Sequence, residues 1–376
     1  MRILRVADVT DNRSGGMSRT MYGTGDELAR LGHEVEYWFE DRLSTDVRPQ
    51  LRRFIVPRRV VRQVREALRQ GKRYDVVEIH EPLGATYAFH RGSLPPLVIF
   101  SYGLEDRSLA ATLAYRKQKN LPVTLKNRYS PLSVVWQACY ATRHAAHVIC
   151  SNSEDVAHLQ SRGVPAERLT RHHSGVEPEF LEAGSRLDPA SPRNGILFLG
   201  SWLYRKGILD LVESTTAVLR RRPDLHLTIA GSGAGEETVL GDFDASVRAQ
   251  VRVLPSVKAN ERLIELYRSH AVFVLPSYFE GQPLVMIEAA ALGLPIVTTD
   301  VCGMRDFITH GEQGFLTSVG DTAAQTRHLD ELVSQPALAR KLGEAARRRA
   351  QSHTWRTAAE KIEGAYAKAK ASRAKT

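Results

Sequence analysis

The chain is poor in cysteine, with three in 376 residues, Cys139, Cys150 and Cys302, and no CxxC spacing. That argues against a disulfide scaffold or a thiolate zinc site and suits reduced, mostly buried thiols in a cytosol. No run of about 18 apolar residues exists, so no transmembrane helix is expected. The opening MRILRVADVT has neither the apolar core nor the small-residue cleavage site of a secretory signal, and reads as a first strand. GxSxG and HExxH are absent. So is GxGxxG, because Gly231-Ser232-Gly233 is followed by Ala234, Gly235 and Glu236, which does not fit a dinucleotide fingerprint.

Acidic residues are also in deficit. Asp and Glu total 42 against 52 Lys and Arg, a net charge of +10. The excess is local: residues 48–73 hold ten Arg or Lys and one acid, Glu66. Val60, Val61, Val64 and Leu68 recur there at helical spacing with arginines between them. A second basic cluster comprises Arg116, Lys117, Lys119, Lys126 and Arg128. Such surfaces attract polyanions. A solvated arginine-rich helix is the plain reading. An anionic membrane surface met through 48–73 and 116–128 is the functional one. Nucleic acid is not expected as a partner, since the aromatics, 7% of the chain, do not interleave with the arginines.

At this length two domains are the natural expectation. Apolar runs at 3–9, 34–39, 76–80, 97–103, 147–152 and 169–175 alternate with helical stretches, the pattern of a doubly wound parallel sheet. The segment 183–195, AGSRLDPASPRNG, has a linker composition. The pattern then restarts at 195–201, 225–233, 251–257, 271–277 and 295–299. The expected fold is α/β, with two Rossmann-like domains facing a central cleft: 1–182, a linker at 183–195, 196–353, and a carboxyl-terminal helix at 354–376 returning to the first domain. Ligands of such sheets bind beyond the carboxyl ends of the strands.

One stretch, SYFEGQPLVMIEAAALGLPIVTT at 277–299, places Glu280 in a turn and Glu288 in an apolar run. Pro283 suits the first position of a helix reaching about Leu292, with Gly293 as its cap. The start of that helix offers free N–H groups to an anion such as a diphosphate. A carboxylate at 288 costs free energy unless it finds donors, and ribose hydroxyls are good ones. The plain readings are an internal salt bridge for Glu288 and a solvated turn for Glu280.

Glu-x7-Glu in FEGQPLVMIEAAALGLPIV, after a strand ending in Pro-Ser, resembles the signature of glycosyltransferase family 4. The resemblance extends over nearly the whole chain, through SGGMSRTMYGTGDELARLGHEV (14–35), YDVVEIHEP (74–82), HHSGVEPEF (172–180), FLGSWLYRKG (198–207), LTIAGSG and VRVLPSVKANERLIELYRSH, and VCGMRDFITHGEQGFL (301–316). It implies the two-domain GT-B fold, a terminal strand near residue 316, and retaining transfer of a sugar from a nucleotide-diphosphate donor to a glycan, lipid-linked or natural-product acceptor. By that resemblance Glu280, Lys206 and Arg205 do the chemistry, the cations neutralising the diphosphate as it leaves. Glu288 holds the ribose. Gly15, Gly16, Gly281, Gln282, Pro283, Leu284 and Val257 line the donor, and His80 and Tyr102 the acceptor side. Three positions depart from the family's habit. Gly200-Ser201 stands for Gly-Arg, Ser101-Tyr102-Gly103 occupies a turn that often holds His, and Asp306 replaces a Glu.

Asp242-Phe243-Asp244 matches a metal-binding triplet of the other major glycosyltransferase fold but reads here as acidic surface, so no metal or other cofactor is expected. The expected location is cytoplasmic, with the inner face of the membrane as a peripheral site of attachment. A non-catalytic basic-surface binding protein, a sugar-nucleotide epimerase and a phosphorylase are the alternatives.

Overall fold

The computed structural model describes residues 1–13, 15–188, 191–257 and 259–373. Ser14, Pro189 and Ala190 of the expected linker, Lys258, and the last three residues of the expected carboxyl-terminal helix lie outside them. The chain divides into two compact units, one of residues 1–113, 122–175 and 355–376, the other of 114–121 and 176–354.

The amino-terminal unit holds six strands: β1 (Arg2–Val6), β2 (Glu34–Trp38), β3 (Val76–His80), β4 (Leu97–Ser101), β5 (His147–Cys150) and β6 (Leu169–Arg171). They form one parallel sheet in the order β2-β1-β3-β4-β5-β6. β3 and β4 are buried throughout, as central parallel strands covered on both faces must be. One face packs on helix Pro49–Arg69 through Val56, Val60, Val61 and Val64. The other packs on helix Trp355–Arg373, whose Ala359, Ile362, Ala365, Tyr366 and Ala369 meet Ile3, Val76, Val98, Phe100 and Ile149.

The carboxyl-terminal unit repeats the plan with β7 (Ile196–Leu199), β8 (Leu227–Ala230), β9 (Val251–Leu254), β10 (Val272–Leu275), β11 (Ile296–Thr299) and β12 (Gly314–Thr317). Its parallel sheet runs β12-β11-β10-β7-β8-β9. In both sheets the strand order reverses beside an early strand, so each unit has its own switch point at the carboxyl ends of its strands.

The chain passes from one unit to the other between residues 175 and 176, earlier than the expected linker. Helix Pro178–Ser185 runs into that linker, burying Phe180 and Gly184. A buried phenylalanine outweighs the loop-like composition around it. Among the described residues, no helix is long and apolar enough to cross a membrane.

Each unit hides a neutral imidazole. Burial holds His147, in β5, and His270, before β10, at about 4 against an ordinary 6.5; they are 1% and 3% exposed. The unfolded chain takes up these protons near pH 6.5 and the folded chain only near 4. Stability is therefore present above pH 6.5 and lost as pH falls toward 4, by up to about 3 kcal/mol per histidine. Urea midpoints should drop between pH 7 and 4.5; a flat midpoint over that window would contradict the burial of both rings.

Candidate active site

The site begins at the end of β7. A single 3-10 turn, Tyr204–Lys206, leads into helix Ile208–Leu219 through Gly207, at φ +69°. A Cβ on Gly207 would sit 2.0 Å from the carbonyl oxygen of Pro276, so glycine is required there both by conformation and by close approach. That approach brings the turn against the segment after β10, where the N–H of Tyr278 donates to the carbonyl of Arg205 at 2.8 Å.

The result is a convergence of charge. Lys206 Nζ lies 2.6 Å from Glu280 Oε1, and Arg205 Nη1 is 3.1 Å from the same oxygen. Burial would raise the Glu280 pKa, but Lys206, then Arg205, hold it below the ordinary carboxylate value. The Lys206 and Glu280 side chains are each 11% exposed, whereas Arg205 is 39% exposed. Two cations thus share one carboxylate, leaving a net positive centre with one arm in solvent.

Glu280 is followed by Gly281 and Gln282, then by helix Leu284–Ala291. Pro283 is the N-cap of that helix, with φ −74° and ψ 115°, and Leu284 is its first residue. The expected start at 283 is shifted by one because Pro283 keeps an extended ψ. Gly281 is buried against Gly303, where a Cβ would fall 1.9 Å from the Gly281 carbonyl. Helix Cys302–Phe307 therefore fixes the loop that carries Glu280 from behind. Val257 is half-buried against the unit's core.

Glu288 is 1% exposed and accepts a hydrogen bond from the Tyr267 hydroxyl at 2.8 Å. A tyrosine of the same unit thus helps meet the cost of a carboxylate in an apolar helix. The other expected residues lie in the amino-terminal unit. Gly15 caps helix Gly16–Arg30, its N–H donating to Asn12 Oδ1 at 2.9 Å, and neither Gly15 nor Gly16 has a positive φ. A Cβ on Gly16 would meet nothing within 4 Å, so open space adjoins that helix start.

His80 is not an exposed acceptor-side residue. It is 1% exposed and bonded to Glu78 Oε1 at 2.8 Å. It stacks on Phe100 and Tyr102. Its side chain belongs to a buried network formed by Arg5, Glu78 and Tyr366. Tyr102 remains half-buried and donates from its hydroxyl to the Met17 carbonyl at 3.2 Å, which ties β4 to the first helix.

Several contributors carry no sequence signal. Residues 114–121, at the end of helix Glu105–Gln118 and just beyond it, belong to the carboxyl-terminal unit. Tyr115 is fully buried, edge-on to Tyr278 with centroids 4.6 Å apart, and also faces Tyr204. Gln118 accepts from the Tyr278 hydroxyl at 2.9 Å. Lys119 pairs with the buried Asp210 and lies 3.4 Å from Glu213, while Arg116 lies over the Tyr204 ring. These contacts support the two loops bearing Arg205–Lys206 and Glu280. They also correct the second basic cluster: Arg116 and Lys119 are taken up here, which leaves the exposed Lys117, Lys126 and Arg128 for any polyanion. Of the acidic triplet, Asp242 accepts from the Trp202 indole at 2.8 Å, and Asp244 pairs with Arg220 at 2.8 Å; Phe243 is buried between them.

Two parallel-sheet units with a cationic centre set before a helix start define the GT-B class. The chain superposes on sucrose-phosphate synthase from Thermosynechococcus elongatus with a TM-score of 0.77, covering 99% of both chains at 20% identity. Residues 14–180 match the family model described as Glycosyltransferase Family 4, and residues 185–349 match Glycosyl transferases group 1. The chain belongs to the glycosyltransferases of the family-4-like, GT-B type. Among curated relatives it is 35% identical over 238 residues to D-inositol 3-phosphate glycosyltransferase of Pseudarthrobacter chlorophenolicus, covering 59% of this chain and 56% of that one. It is 32% identical over 225 residues to glycogen synthase of Mycobacterium tuberculosis, covering 59% and 54%. The chain thus spans about half the length of the curated relatives it matches.

Proposed function

We propose that this protein transfers a sugar from a nucleotide-diphosphate donor to a hydroxyl of a glycan, lipid-linked or natural-product acceptor, with retention of anomeric configuration. The observation that carries the reading is the gathering of Lys206 and Arg205 on Glu280, immediately before the helix that starts at Leu284. As the glycosidic bond to the diphosphate breaks, negative charge grows on the leaving oxygen. Fixed cations and a helix start aimed at that charge stabilise it more in the transition state than in the ground state. Glu280, kept ionised by its two partners, orients the sugar. The acceptor oxygen attacks from the face the diphosphate leaves, and its proton passes to the departing phosphate oxygen. The chemistry as proposed uses no metal.

Glu288 is assigned to the ribose hydroxyls, which requires its buried carboxylate to open toward the helix start when nucleotide binds. The acceptor is left to the amino-terminal unit. The relatives' names support transfer to a polyol phosphate or a growing glucan as precedents for acceptor class. The proposed location is peripheral, on the cytoplasmic face of the membrane, a reading that the basic stretch 48–73 supports. No observation favours the binding-protein, epimerase or phosphorylase alternatives.

A thermal-shift screen against UDP-, GDP- and ADP-sugars tests the donor site. A ligand that binds only the folded chain raises the melting temperature. One donor class should produce a shift that Glu288→Gln abolishes. No shift with any donor, or the same shift in the variant, would remove the assignment of nucleotide to this helix.

A further inference from the structure

The amino-terminal unit exposes an apolar surface that its fold does not use. Among the described residues, nine of the eleven large hydrophobic side chains that stand in solvent fall between residues 51 and 136, including Leu132 at 82%, Phe89 and Leu125 at 71%, Trp136 at 60% and Tyr129 at 59%. The elements that carry them are neighbours. Helix Ala85–Phe89 packs on both helix Pro49–Arg69 and helix Val134–His144, and the turn Ser130–Leu132 joins the last of these to helix Leu125–Tyr129. Ser133, buried at that junction, accepts from Arg53 at 3.5 Å and donates to the Tyr129 carbonyl at 3.1 Å. A patch of this kind on a soluble fold marks an interaction surface.

The charge beside it selects the partner. On helix Pro49–Arg69 the buried stripe is Val56, Val60, Val61 and Val64. The opposite stripe starts with Leu51, Phe54 and Ile55, 46%, 43% and 37% exposed, and continues at helical spacing as Arg58, Arg62, Arg65 and Arg69. Lys126 and Arg128 are exposed between Leu125 and Tyr129. Apolar and aromatic groups bordered by guanidinium groups match the layered chemistry of a bilayer surface, where rings enter the boundary between headgroups and chains while cations meet phosphates. A second copy of this chain would set arginine stripe against arginine stripe, and nucleic acid would leave Leu132 and Phe89 unused.

We infer that this face is a docking surface for an anionic lipid bilayer, with Phe54, Phe89, Leu132 and Trp136 entering the interface and Arg53, Arg58, Arg62 and Arg128 contacting lipid phosphates. It names the surface behind the peripheral location proposed above, and it depends on no step of sugar transfer.

The test is co-sedimentation of the full chain with vesicles of phosphatidylcholine alone or mixed with phosphatidylglycerol, at low and high salt. The chain should bind the anionic vesicles and leave the zwitterionic ones, with affinity falling as salt rises. Leu132→Glu with Trp136→Glu should lower affinity at least tenfold at every salt concentration. Arg58→Glu with Arg62→Glu should lower it by about tenfold or more at low salt only. Melting temperature and donor-induced thermal shift, unchanged in both variants, show that the fold and the donor site are intact. Equal binding to both vesicle types, wild-type binding by both variants, a dimer abolished by Leu132→Glu, or a preference for single-stranded nucleic acid over vesicles would each overturn the inference.

Discussion

Lys206→Met should lower kcat by about 100- to 1,000-fold, the cost of removing one charge-stabilising group from a preorganised site. Methionine keeps the length and buried stem of the lysine, so the packing of that stem beside Gly200 survives. What disappears is the 2.6 Å contact with Glu280 and the largest influence holding that carboxylate below its ordinary pKa. Burial then acts on Glu280 with only Arg205 and a hydrogen bond from Ser277 against it, and its pKa rises. The residual activity should therefore increase with pH over a range where the wild type is flat. Arg205→Lys, which retains charge on the more exposed arm, should act mainly on KM. Steady-state transfer assays across pH check both; wild-type kcat in Lys206→Met would place the chemistry elsewhere.

Glu78→Gln should cost about 3–5 kcal/mol of stability, without touching the donor site. Arg5 and Glu78 are both fully buried between β1 and β3, 2.7 Å apart. Arg5 also donates to the Met21 carbonyl at 2.6 Å and to Thr24 at 2.8 Å. Glu78 accepts from Tyr366 at 2.6 Å. Burial alone would raise the Glu78 pKa, but Arg5, with His80 and Tyr366, holds it down to about 2. Removing one partner leaves the other charge without compensation in the interior. At roughly 2–4 °C per kcal/mol for a unit of this size, the melting temperature should fall by about 6–20 °C. Arg5→Met combined with Glu78→Leu removes both charges and should be more stable than either single change. Calorimetry on the three variants checks the ordering; a double variant as unstable as the singles would mean that packing, not charge, dominates.

The fold was legible because its strands are apolar runs bounded by turn residues, and eleven of the twelve can be placed that way. The twelfth, Gly314–Thr317, has no such run and is anticipated only through the family resemblance. The centre of the donor site was legible for a similar reason. Arg205, Lys206 and Glu280 directly follow β7 and β10, which are neighbours in the sheet, so local sequence already puts them together. His80 misleads because a residue ending a parallel strand can face either solvent or a covering helix. Here its ring stacks on Phe100 and Tyr102, on the face covered by helix Trp355–Arg373, which lies far along the chain. Tyr115, Gln118 and Lys119 were hidden in the same way. Their partners Tyr278, Asp210 and Glu213 are distant in sequence, and an isolated lysine looks the same whether it faces water or a buried aspartate.

The interrupted path of the chain has a bearing on synthesis. The amino-terminal unit starts first, yet the helix that covers one face of its sheet comes from residues 355–373, after the chain has built most of the other unit. From residue 175 to residue 355 is 180 residues, or about 10–40 s of elongation at ~5–20 residues per second. Through that interval Ile3, Val76, Val98, Phe100 and Ile149 wait without their cover on a nascent chain. The unit begun first on the ribosome is completed last, and the interval in which that face stays uncovered is set by the length of its neighbour.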